Sequence, residues 1–103
     1  MGWFNIFKNE NFEVKTNFPD ADFWIRRVHG KRERVGEVLE EFNKGYIGVK
    51  VLATDKFDPL FMIYWFQQPK IQQWFSHIAN GSVQQFIRVK DVKDILDEFV
   101  VSE

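Results

Sequence analysis

The stretch "DPLFMIYWFQQPKIQQWF", residues 58 to 75, restricts the fold of this chain more than any other. Asp58 followed by Pro59 is a helix start: the carboxylate caps an orphan backbone amide, and proline at the first helical position sacrifices no hydrogen bond. Every residue from Leu60 to Phe66 is apolar or aromatic. A helix apolar on all sides is a buried helix, which predicts one at the centre of the domain. Pro69 then starts a second helix, in which Ile71, Trp74, Phe75 and Ile78 form one apolar stripe and Lys70, Gln72, Gln73 and His77 stay outside. Asn80-Gly81-Ser82 is expected to close it with a left-handed cap.

Around this helical middle the periodicity changes. Residues 12 to 16, "FEVKT", alternate as a strand does, and Phe18-Pro19-Asp20 turns the chain. "DFWIRRV" reads as a second strand, with Phe23 and Ile25 on one face and Trp24, Arg26 and Val28 on the other. Val35, Val38, Leu39 and Phe42 have helical spacing, but Gly36 among them would cost a helix about 1 kcal/mol. "YIGVKVL" at 46 to 52 is a strand by its β-branched content, and Gly48 within it points to a bulge or a close backbone approach. Residues 85 to 88 are short and extended. Val92, Ile95, Leu96 and Phe99 then repeat at helical spacing from Lys90 or Asp91 onward, although "EFVVS" has the composition to end as a strand. Strands first, helices in the middle and extended pieces later make this an α+β chain.

A chain of 103 residues is expected to form a single domain, 1–103. Twelve Phe and four Trp supply a core from few bulky side chains and argue against disorder. Without cysteine there is no disulfide, thiolate metal site or Cys nucleophile, which suits a reducing cytoplasm. The opening "MGWFNIFKNENF" lacks the basic and apolar regions of a secretory signal, and "LFMIYWF" is too short to span a bilayer. A cytoplasmic protein without a membrane role is the expectation. No phosphate-binding glycine loop and no nucleophile elbow are present. His29 and His77 are far apart in sequence and lack partners at ligand spacing, so no metal site is expected. The carboxylates at 37, 40 and 41 and at 94, 97 and 98 read as solvated faces. The expectation is a protein that is not an enzyme and carries no cofactor.

Charge is segregated along the chain. Residues 26 to 34 hold Arg26, Arg27, Lys31, Arg32 and Arg34 against Glu33 alone, a net +4, whereas the whole chain sums to -1, which leaves -5 for the rest. Cations on a strand-turn-strand can lie along phosphates and release counterions, and arginine can also grip a guanine edge. His29 would add a donor at the tip. The competing reading is an exposed hairpin charged for solubility, and a pI near 6.1 favours it, since DNA-binding domains are usually basic overall. Gln67, Gln68, Gln72, Gln73, Gln84 and Gln85 form a second polar cluster; glutamine can pair with adenine but is also common helix-surface filler. Trp24 and Trp74 read as core anchors before base-stacking platforms.

The order of signals from residue 43 to 95 resembles the second half of a target recognition domain from the specificity subunit of type I restriction-modification systems. There a strand with a glycine approach precedes a D-P-x-F-x-x-Y helix, a second helix, a G-S-x-Q turn, a short F-I strand and a D-x-x-x-I segment. The corresponding pieces here are Ile47 to Leu52, Asp58-Pro59 to Tyr64, Ile71 to Ile78, Gly81-Ser82 with Gln84, Phe86-Ile87, and Asp91 to Ile95. "FWIRRVHGKRERVGEV" takes the place of the family's strand pair, which implies that residues 34 to 42 are mostly extended. The resemblance implies a small fold with a twisted, mostly antiparallel sheet packed with two to three helices. It further implies binding of duplex DNA, with Arg26, Arg27, His29, Lys31, Arg32 and Arg34 on the duplex and Lys44 and Arg88 in support. The sequence departs from the family's plan in having one recognition-like unit, a shortened N-terminal portion and no spacer helix, so it is not expected to organise a methyltransferase. Such a minimal unit would suit a phage or mobile element, alone or as a homodimer. The alternative expectation is a protein-interaction module, a decoy or modulator of a host complex, that keeps the fold without DNA recognition; the acidic end with Asp91, Asp94, Asp97 and Glu98 fits it.

Overall fold

The computed structural model describes residues 6–28, 34–81 and 86–102, apart from the side chain of Ser102. Among the described residues, five strands and three helices follow in the order β1 (Ile6–Lys8), β2 (Phe12–Thr16), β3 (Phe23–Ile25), β4 (Val38–Leu39), β5 (Ile47–Val51), α1 (Pro59–Phe66), α2 (Pro69–Asn80) and α3 (Val89–Ser102). The strands form one sheet in the order β1-β2-β5-β3-β4, antiparallel at every pairing. The architecture is α+β, an antiparallel sheet packed with helices.

The register explains which residues are inside. Phe12 pairs with Val51 and Val14 with Val49, while Phe23 pairs with Val49 and Ile25 with Ile47. Since side chains alternate, these seven residues share one face, and all are buried. The helices cover that face with Met62, Phe66, Ile71, Phe75, Val92, Leu96 and Phe99. A chain of rings joins the layers: Phe12 to Phe57 (5.1 Å), Phe57 to Phe99 (5.8 Å), Phe99 to Trp65 (4.9 Å), Trp65 to Phe66 (5.3 Å) and Phe66 to Phe23 (5.5 Å). Such tilted and edge-on pairs add to burial by matching ring edges to ring faces.

Gly48 lies on the other face, opposite Lys15 and Trp24. A Cβ there would come within 2.8 Å of the Phe18 Cβ and 2.9 Å of the Ala21 Cβ, so glycine admits the 17–22 turn against the sheet. The strand pairing runs through Gly48 without a bulge, and close approach is the reason for the glycine. Trp24, on this second face, is buried too, its indole N–H donating to the Phe18 carbonyl at 2.9 Å.

Several expectations are corrected. Helix α1 starts where predicted, with the Leu60 amide donating to Asp58 Oδ1 at 3.0 Å. It is not buried all round: Met62 and Phe66 face the core, but Leu60 is 70% exposed and Tyr64 63%. A two-turn helix lying on the core buries one side, and its composition does not reveal which residues face out. Helix α2 does not end in a left-handed cap, because Gly81 keeps φ at -79° and its amide makes an ordinary helical bond to the His77 carbonyl at 3.1 Å. Within the α2 stripe, Ile71 and Phe75 are buried, Trp74 and Ile78 half-buried, and Ala79 completes the buried side. The strand expected over "DFWIRRV" is three residues long, after which the chain makes an isolated bridge from Val28 to Phe86. Strand β1 is three residues long, too short for periodicity to mark, and is set by its pairing with β2. Residues 34 to 42 form no helix, as the extended reading expects against the helical spacing, but strand pairing there is limited to the two residues of β4, the rest being largely turns, with Gly36 at φ +89°. The helical reading of "EFVVS" prevails over a strand, since α3 runs through it.

Candidate nucleic-acid interface

The basic segment starts on β3 and returns on β4. Beyond β3 the hairpin is continued by the Arg26 amide donating to the Glu37 carbonyl (2.9 Å) and the Gly36 amide donating to the Arg26 carbonyl (2.8 Å). Arg26 therefore sits inside the hairpin. Its Nε donates to Glu37 Oε1 at 3.0 Å, its side chain is only 16% exposed, and its guanidinium lies 5.0 Å from the Tyr46 ring centre. This guanidinium is committed to holding β3, β4 and the start of β5 together.

One residue later the chain changes partner. The Ile87 amide donates to the Arg27 carbonyl at 2.9 Å, next to the Val28–Phe86 bridge. That seam brings Arg27 and Arg88, sixty-one positions apart in the chain, onto the same phenyl ring: their guanidinium carbons lie 5.4 and 5.3 Å from the centre of Phe86. Arg88 is also fixed by its backbone. Its amide donates to Asp91 Oδ2 at 2.8 Å, the reach-back of a capping box at the start of α3. The Asp91 carboxylate is thus bonded to the Arg88 amide, and neither Arg27 nor Arg88 pairs with a carboxylate among the described residues.

At the other end of the segment, Arg34 is exposed beside the outward face of α2. With Gln73, Ser76, His77 and Asn80 it lines a polar groove of about 380 Å³. Gln72 borders the same groove but has a structural task, its Nε2 donating to the carbonyls of Gly36 and Phe66, both at 2.8 Å. Both amide hydrogens are used, so Gln72 cannot offer the donor that adenine recognition needs. Lys44 is exposed two residues before Tyr46 and makes no ion pair with the described residues. His29, Lys31 and Arg32 lie outside the described residues, as do Gln84 and Gln85.

The structure thus gathers Arg27 and Arg88 at one place, sets Arg34 by α2, and turns Arg26 inward. Sequence reasoning overlooked Phe86 as the platform. Its signal was present in the two-residue spacing of Phe86 and Arg88, which puts both on one side of an extended segment. No group of three or more potential metal-ligating side chains occurs among the described residues, and none of their helices is long and apolar enough to cross a membrane. No protein-family model, curated protein or solved structure matches this chain.

Proposed function

We propose that this is a cytoplasmic, non-catalytic DNA-binding module of the kind its resemblance to a target recognition domain implies. It grips duplex DNA through the basic strand-turn-strand. The observation that supports this reading best is the Arg27–Phe86–Arg88 cluster, where two guanidiniums share one ring at the root of the basic segment. Neither guanidinium has an ion-pair partner among the described residues, and an anion bound beside the ring would be attracted by both charges. Phosphate is the anion that arginine's planar fork fits best. Arg34 and Lys44 extend the contact, and His29, Lys31 and Arg32 belong to the same grip. Arg26 is assigned to the hairpin's own stability.

Titrating a mixed-sequence duplex at rising salt tests this reading. Affinity falls with log salt at about -0.9 per phosphate contacted, several contacts in all. Absence of binding at low salt refutes it. A second reading, a protein-interaction module, is favoured by the outward side of α1, where Leu60, Phe61 and Tyr64 are exposed at i, i+1 and i+4. In that case duplex binding is absent, and polar substitution of Leu60 and Tyr64 abolishes association without loss of stability.

A further inference from the structure

A cleft of about 400 Å³ opens where the end of α1, the first turns of α2 and the middle of α3 meet. Its apolar lining is Trp65, Ile71, Trp74 and Ile95, and α3 presents Asp94 and Glu98 to it. Positions 94 and 98 are one helical turn apart, so both carboxylates come from the same side of α3. We propose that this cleft binds an organic ammonium ion, a quaternary or alkylated amine with an apolar body. This goes beyond the DNA reading and does not depend on it.

An indole face is the strongest aromatic partner for a cation, and the attraction grows as the cation leaves water. Two indoles beside two carboxylates combine that attraction with direct charge neutralisation. Both rings are held in place before any ligand arrives. Trp65 stands edge-on to Phe99 (4.9 Å, 76°) and to Phe66 (5.3 Å, 64°), and Trp74 edge-on to Phe75 (5.4 Å, 69°). Little ordering is left to offset binding. Lys70 and Gln68 complete the lining, so the cleft's formal charge is one negative. Asp94 is only loosely engaged: Lys93 Nζ is 4.0 Å from it but 3.1 Å from Asp97. A hydrated small cation would gain nothing from Ile71 and Ile95, and a neutral apolar molecule nothing from the carboxylates. An alkylammonium uses both. The volume falls in the range typical of small-molecule sites.

The test is a titration followed by the indole N–H resonances of the full chain, with choline as probe and 3,3-dimethylbutan-1-ol as its uncharged counterpart of the same shape. The expected result is saturable movement of the Trp65 and Trp74 signals, assigned by tryptophan-to-phenylalanine variants, with choline at least ~10-fold tighter than the alcohol. Asp94→Asn should weaken choline ~10-fold with the urea midpoint unchanged, and Glu98→Gln should act in the same direction. A parallel arm uses a short peptide bearing trimethyllysine. Tighter binding of the peptide with the same two signals moving assigns the ammonium to a partner's side chain, and equal or weaker binding assigns it to a free amine. Equal affinity for choline and the alcohol overturns the proposal. So does an unchanged affinity in Asp94→Asn, or no saturable movement with either choline or the peptide.

Discussion

Gly36→Ala is the sharpest test of how the basic segment is mounted. Gly36 has φ +89°, donates its amide to Arg26 and accepts from Gln72, so it joins the hairpin to α2. A Cβ on it would lie 2.7 Å from the Cβ of Phe75 and 2.8 and 2.9 Å from two of its ring carbons. Two costs follow. A left-handed backbone costs an L-residue roughly 1–2 kcal/mol, and forcing a methyl into a packed core costs typically about 1–3 kcal/mol. Their sum, about 2–5 kcal/mol, is a large share of the ~5–15 kcal/mol that holds a domain of this size together. Phe75 is fully buried and contacts Phe66, so it cannot retreat without disturbing the ring cluster. The assay is urea unfolding followed by tryptophan fluorescence, for Gly36→Ala, Phe75→Leu and the double variant. Leu keeps the Cβ and Cγ at 2.7 and 2.9 Å and removes only the outer ring, but the space the ring vacates lets the side chain shift away from the methyl, so the double variant should be more stable than the two single losses added together, by about 1 kcal/mol. The backbone cost should remain in it. A Gly36→Ala protein within ~0.5 kcal/mol of the parent would refute both the clash and the strain, and strict additivity of the pair would refute the clash.

Replacing Asp58 by Ala removes the α1 cap and should cost about 1 kcal/mol, seen as a melting temperature lower by about 4–8 °C in calorimetry. Gln72→Leu keeps the size of the side chain but strips the Gly36 and Phe66 carbonyls of their donor, with an expected loss of about 1–3 kcal/mol by urea unfolding. The Asp97 carboxylate, by hydrogen bond and charge, raises the Lys93 pKa above its ordinary 10.5. The stabilisation from this pair is therefore fully present below pH 10.5 and fades as the pH rises through the higher folded value. The difference in melting temperature between the parent and Lys93→Gln should accordingly be constant at neutral pH and shrink above pH 10.5.

The parts of the fold legible in the sequence are those in which local chemistry decides. Asp58-Pro59 starts a helix because the cap and the proline act within a few residues of each other. Val92, Ile95, Leu96 and Phe99 are all buried as their spacing predicts, and Phe23 and Ile25 share the core face. The failures occur where tertiary contacts decide. The spacing of Val35, Val38, Leu39 and Phe42 is helical, yet Gly36 takes a positive φ and the segment pairs with β3. The apolar run of α1 does not indicate that only one side meets the core. Most of all, strand alternation puts Arg26 and Arg27 on opposite faces but does not tell which guanidinium is held within the hairpin. Adjacent residues of one type diverge because one faces Glu37 and Tyr46 across the hairpin and the other faces Phe86 across a seam with the segment before α3.

That divergence gives the most direct test of the DNA reading: the salt dependence of binding to a fluorescent mixed-sequence duplex, measured by anisotropy between 50 and 200 mM salt, roughly the range in which phosphate contacts dominate. Arg27→Ala and Arg88→Ala should each flatten the slope of log affinity against log salt by about 0.9, and together by about twice that. Arg26→Gln should lower the unfolding midpoint and leave the slope as it was. A slope unmoved by the Arg27 and Arg88 double variant, or one flattened by Arg26→Gln alone, would contradict the account.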